Sequence, residues 1–230
     1  MKWVQTVVIA MALAIGCLAV FGQTAGEIGI VDGFIGDGPW AGWSGRWLAL
    51  MERNGAFELR DVTVSATRSE NRVCDDMSFA FNVTATPAVS GSLLLRGFPA
   101  IKAGPVGTMF HGHKFLLPGE SLNLSPEWSL EAFGTARPTS SLSEPRIIDY
   151  RVYMTGSGGR TSVLFSLDHV DNDKPPEILW VGDLDADGVP DVFADIATHY
   201  NASRRTLFLS SRARVGRLLE EAGAVYSTGC

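Results

Sequence analysis

The chain has 230 residues, 46% of them hydrophobic, and a formal net charge of −6. That is enough apolar material for a packed core, which excludes a disordered chain. An acidic chain also lacks the basic face that phosphate backbones and anionic lipid surfaces require, so nucleic acid is excluded as an expected partner.

Residues 1–25 read as a signal peptide. Lys2 supplies the positive start, Val7 to Val20 is almost wholly apolar, and small residues from Gly22 to Gly26 offer a cleavage region. The apolar run falls short of the ~20 residues a spanning helix needs. The alternative is a tether: Ala14-Ile15-Gly16-Cys17 ends in a cysteine that a lipobox would acylate, although the position three before it is usually Leu. The expected location is periplasmic or secreted, with membrane contact only through a lipid anchor at Cys17.

Once the leader is removed, Cys74 and Cys230 remain. In an oxidising compartment they are expected to form one disulfide that pins the C-terminus, worth at most about 4–5 kcal/mol on a chain-entropy argument. The alternative is two free thiols.

Residues 27–45 are rich in Gly, Pro and Trp and read as loop and tight turns. Trp40, Trp43 and Trp47 suggest either a sugar-stacking platform or, more simply, core and edge packing. Short runs with strand character follow at 46–52, 57–67, 78–86, 92–96, 147–154, 161–167, 177–181, 191–196 and 206–210. One short helix is expected over 212–224, with Leu218, Leu219 and Ala222 on its apolar face and Gly216 weakening it. The expected fold is therefore mainly β. A β-sandwich-like N-terminal domain covers 26–135, a linker or long loop covers 136–145, and a C-terminal region covers 146–230.

The C-terminal region carries the clearest chemistry, Gly182-Asp183-Leu184-Asp185-Ala186-Asp187-Gly188-Val189-Pro190-Asp191, a D-x-D-x-D-G-x-x-D pattern. Calcium takes six to eight oxygens at ~2.3–2.6 Å. Asp183, Asp185 and Asp187 alternate, so a curling backbone can turn all three carboxylates to one centre. Gly188 permits the sharp turn that keeps the chain around the ion. The Val189 carbonyl and then Asp191, directly or through water, would continue the set. These residues match the odd-numbered ligand positions of an EF-hand loop, but Ala194 stands where the bidentate Glu belongs and the flanks read as strands.

The loop thus resembles the calcium-binding β-hairpin of FG-GAP repeats in integrin-like propellers and of related VCBS-type bacterial proteins. The resemblance covers residues 179–197, and the wider C-terminal stretch resembles bacterial exported proteins with a single FG-GAP-like loop. It implies Ca2+ held between two strands by Asp183, Asp185, Asp187, Val189 and Asp191. A propeller needs several such repeats and the sequence has one clear copy. The acidic run 168–173 lacks the glycine and the spacing, and reads as a solvated turn.

His111-Gly112-His113 has the spacing of a cupin metal pair, but a cupin has Glu four or five residues further on, where Leu117 and Pro118 stand, so a polar turn is expected. The patterns of serine hydrolases, zinc proteases, P-loops and dinucleotide-binding folds do not occur. Three N-x-S/T sequons occur, at Asn82, Asn123 and Asn201. The expected function is an exported calcium-binding structural or binding protein of the cell envelope, with calcium stabilising a β-hairpin and a protein or glycan as partner. The alternative is a calcium-dependent hydrolase acting on envelope or extracellular polymer.

Overall fold

The structure, a computed structural model, describes residues 26–31, 33–35, 42–69, 80–89, 92–137, 146–171 and 174–228. The expected signal peptide, Cys17, Trp40, Cys74, Cys230 and most of the expected linker lie outside these residues, and so does the expected disulfide.

The described residues form fifteen strands: β1 (Glu27–Ile30), β2 (Gly33–Ile35), β3 (Gly45–Arg53), β4 (Ala56–Ser69), β5 (Ala80–Thr86), β6 (Leu93–Arg96), β7 (Gly104–Phe115), β8 (Ser121–Asn123), β9 (Ser129–Arg137), β10 (Arg146–Gly156), β11 (Arg160–Val170), β12 (Glu177–Asp183), β13 (Asp191–Asp195), β14 (Ala202–Leu209) and β15 (Glu220–Thr228). The mainly β expectation holds. All strand pairs are antiparallel, and the large sheet runs β1-β6-β3-β4-β7-β12-β13-β14-β15, with β5 and β2 added along the far end of β4. The sheet curls until its two ends approach. Gly223 of β15 lies so close to β1 that a Cβ there would sit 3.3 Å from an Ile28 methyl group. The result is a nearly closed barrel. A second sheet, β11-β10-β9-β8, covers part of its outside.

Two cores follow from the alternation of side chains along the strands. One fills the barrel with Trp47, Leu59, Leu94, Trp180, Phe193, Leu207 and Leu209. The other lies between barrel and second sheet and holds Leu130, Tyr150, Val152, Met154, Ile178, Val192, Ala194 and Phe208. β13 and β14 feed both cores with alternate residues, which is why Asp191–Asp195 is buried at every position. The Tyr150 hydroxyl donates to the Leu116 carbonyl at 2.6 Å and ties the second sheet to the end of β7. Burial pushes this phenol far above its usual range.

Several expectations are corrected. The helix over 212–224 does not form: Ser210–Arg212 is a short 3-10 turn, Gly216 has φ +88°, and Glu220 onward is β15. β14 would otherwise expose its backbone edge, and pairing with β15 satisfies it, which outweighs local helix propensity. The Gly-rich stretch after residue 26 supplies β1 and β2 rather than loop alone. Strands from both sides of the expected linker share sheets, β9 pairing with β10 and β7 with β12. Asp168 lies within β11, not in a turn, and Asp171 accepts a bond from Arg146 at 3.1 Å. Trp43 and Trp47, by contrast, follow the simpler reading of core packing: both are buried, and the Trp47 indole donates to the Trp43 carbonyl at 2.7 Å. His111 and His113 sit on β7 rather than in a turn.

Candidate metal centre in the loop between β12 and β13

β12 and β13 form a hairpin whose last pair is Gly182 opposite Asp191, and the acidic loop fills the space between them. Leu184 turns into the barrel core and Val189 packs against the second core, so apolar anchors fix both sides of the loop. Between them the chain makes two left-handed steps, at Ala186 (φ 59°) and Gly188 (φ 83°). Glycine takes this conformation freely, whereas alanine does so at a cost of order 1 kcal/mol.

The two steps bring Asp183, Asp185 and Asp187 together, with one carboxylate oxygen from each lying within 4.8 Å of the others. Among the described residues this is the one group of three His, Cys, Asp or Glu that converges so closely. Two oxygens bound to one calcium at ~2.4 Å are at most ~4.8 Å apart, so the spacing suits that ion.

The three carboxylates have different surroundings. Asp183 accepts the N–H groups of Asp187 at 3.1 Å and Gly188 at 2.9 Å, which shapes the turn. Asp187 accepts the Val189 N–H at 2.8 Å through one oxygen and the Ser210 hydroxyl at 2.8 Å through the other. Both oxygens of Asp185 are shielded from solvent and accept no hydrogen bond of good geometry. Burial raises its pKa; the nearby Ser211 hydroxyl opposes this without closing a good bond, and the charges of Asp187 and Asp183 add to the rise. A shielded carboxylate whose donors, the Ser211 hydroxyl and the Asp187 N–H, close no good bond is costly unless a cation meets it.

Asp191 stands apart from the converging group. It is fully buried, and its two oxygens accept the N–H groups of Leu184 at 2.8 Å and Ser210 at 2.9 Å. It therefore braces the start of the loop against the end of β14. Burial pushes its pKa up to about 8, with the Ser210 and Leu184 N–H groups opposing and Asp185 and Asp187 adding repulsion. The Val189 N–H is engaged by Asp187. Sequence reasoning did not single out Ser210 and Ser211 as site residues. They follow β14 and reach the loop only because β14 pairs with β13.

Asp195, at the other end of β13, is a structural carboxylate. It accepts the N–H groups of Ala197 and Arg204, the Ser203 hydroxyl and the Lys174 ammonium, at 2.9 to 3.2 Å. Burial pushes its pKa up, but these donors win and hold it below the usual range.

Comparison with protein-family models, curated proteins and solved structures finds no match.

Proposed function

We propose that the loop from Asp183 to Asp191 binds one calcium ion and that the ion locks the β12–β13 hairpin, in an exported protein of structural or binding role. The observation that carries this reading is Asp185, whose two shielded oxygens accept no hydrogen bond of good geometry while two other carboxylates converge on them. Without a cation, neighbouring negative charges repel; with one, the same groups become ligands. Asp183, Asp185 and Asp187 would hold the ion, and Asp191 with Ser210 would hold the loop in shape. The resemblance to an FG-GAP-type hairpin agrees with strands, not helices, on both sides of the loop.

Calcium in this role is structural: an ion that binds only the folded state stabilises it by mass action. With no EF-hand Glu at the twelfth position, the site belongs in the weak extracellular range of ~10⁻⁴–10⁻³ M. Equilibrium dialysis against calcium tests the assignment. One ion retained per chain in the wild type and none in Asp185→Asn supports it. Equal retention by both proteins would remove Asp185 from the site.

A further inference from the structure

The barrel has a second feature, at the end away from the acidic loop. β12 carries Asp183 at one end and Glu177 at the other, about 20 Å away at the rise of a strand. At the Glu177 end a cavity of about 560 Å³ opens into the barrel. This lies within the roughly 300–1,000 Å³ of small-molecule sites, and barrel mouths are a common place for them.

The wall of this mouth is aromatic: Phe57, Trp180 and Phe193 line it. Its polar groups come from many separate segments, among them Glu52 on β3 and Arg205 on β14. His111 and His113 stand on β7, Glu177 on β12, Asp195 on β13 and Lys174 just before β12. Glu177 is only 8% exposed, yet its Oε1 lies 2.8 Å from His113 Nδ1. That contact engages one ring nitrogen of His113 and leaves the other for a ligand, on a side chain that is 77% exposed. Lys174 is paired with Asp195 at 3.2 Å, and His111 Nε2 lies 3.9 Å from Glu52. The Trp180 indole N–H is buried and has no acceptor among the described residues, although Trp180 is 3% exposed and lines the cavity.

We propose that this mouth is a binding site for a neutral saccharide of one or two rings. Three carboxylates (Glu52, Glu177, Asp195) face two cations (Lys174, Arg205) and two imidazoles, and each is already engaged, so the lining presents both signs and no field that favours an ion. A charged ligand would have to compete with an existing pair. A sugar hydroxyl both donates and accepts, so it can add to each pair without breaking it. The C–H faces of a sugar ring pack on aromatic walls. The site shares no residue with the calcium loop and goes beyond that reading.

The test is a titration of the full protein followed by the indole N–H resonance of Trp180 and the imidazole resonances of His111 and His113. The probes are neutral hexoses, N-acetylhexosamines and their disaccharides, with alanyl-alanine, citrate and spermidine as charged controls. The expected result is saturable shifts with at least one saccharide below about 10 mM, and none with the charged probes. His113→Ala is expected to weaken that binding at least about tenfold in a protein that still melts cooperatively, at a somewhat lower temperature because Glu177 loses its partner. Glu177→Gln, which keeps the shape and removes the charge that orients His113, is expected to weaken it in the same direction. No shift with any saccharide, saturation by a charged probe instead, or full affinity in both variants would overturn the proposal. The calcium response of the same samples is a separate measurement, so failure here and failure of the calcium reading are distinguishable.

Discussion

The backbone N–H of Ser210 donates to Asp191 Oδ1 at 2.9 Å, so a residue beyond the end of β14 is fastened to the base of the acidic loop. The Ser210 hydroxyl reaches on to Asp187 Oδ2 at 2.8 Å. Two strands and a loop are thereby joined into one unit, and the order of the loop becomes coupled to the β13–β14 ladder.

Asp185→Asn separates the ion from the scaffold. The substitution removes one negative charge from a shielded cluster, so the calcium-free protein should lose no stability and should gain slightly. Calcium affinity should fall at least about tenfold, because a charged ligand oxygen is replaced by an amide. Calorimetric melts of the variant with and without calcium check both halves.

Asp191 predicts an unusual pH dependence. Its folded-state pKa is raised to about 8 from a model-peptide value of 3.8. The folded protein therefore holds a proton that the unfolded chain has released, so this group's contribution to stability is full below pH ~4 and is lost as pH rises through ~8. Calcium binding nearby should favour the charged form and release that proton. Calcium affinity should thus rise from pH 5 to pH 8 while calcium-free stability falls. Denaturant unfolding at the two pH values, each with EDTA and with calcium, reads the crossing directly.

Asp195 predicts the opposite sign. Its pKa is held below the usual range, so its contribution is present above pH ~4 and is lost as pH falls through and below that point. Asp195→Ala should cost about 3–5 kcal/mol, because it leaves Lys174 and two backbone N–H groups unpaired in a buried place. Urea unfolding at neutral pH measures it, and the deficit should shrink as the wild type is acidified.

Gly182 is a packing requirement at the entrance to the loop. A Cβ there would collide with the backbone oxygen of Gly107 on β7 and with the Trp180 ring. Gly182→Ala should force β7 and β12 apart and cost about 1–3 kcal/mol. It should also weaken calcium binding, since Asp183 follows directly. Leu207→Ala is the contrasting core variant. It empties a fully buried position in the barrel and should cost about 2–5 kcal/mol, with calcium affinity little changed.

The parts of the fold legible in the sequence were those with unbroken alternation. β3 to β6, β10 and β11 coincide closely with the expected runs, and β12 and β13 were visible on either side of the acidic loop. β7 was not legible, because Gly104, Pro105, Gly107 and Gly112 read as turn residues; its strand form comes from β4 on one part and β12 on the other. β15 is not legible, because Leu218, Leu219 and Ala222 sit at helical spacing, while the open edge of β14 that claims it is a tertiary fact. In the site, the three alternating carboxylates were legible from spacing alone. The bracing role of Asp191 and the hydroxyls of Ser210 and Ser211 were not, since they depend on β14 lying beside β13.

The central claim, a calcium ion holding the β12–β13 hairpin, is tested most directly by a thermal melt of the protein, first in EDTA and then in calcium from about 10 µM to about 10 mM, with magnesium in parallel. The account predicts a melting temperature that climbs with calcium across the upper part of that range and does not follow magnesium, with the rise absent in Asp185→Asn. A melting temperature that ignores calcium throughout, or that rises equally in the wild type and in Asp185→Asn, would contradict it.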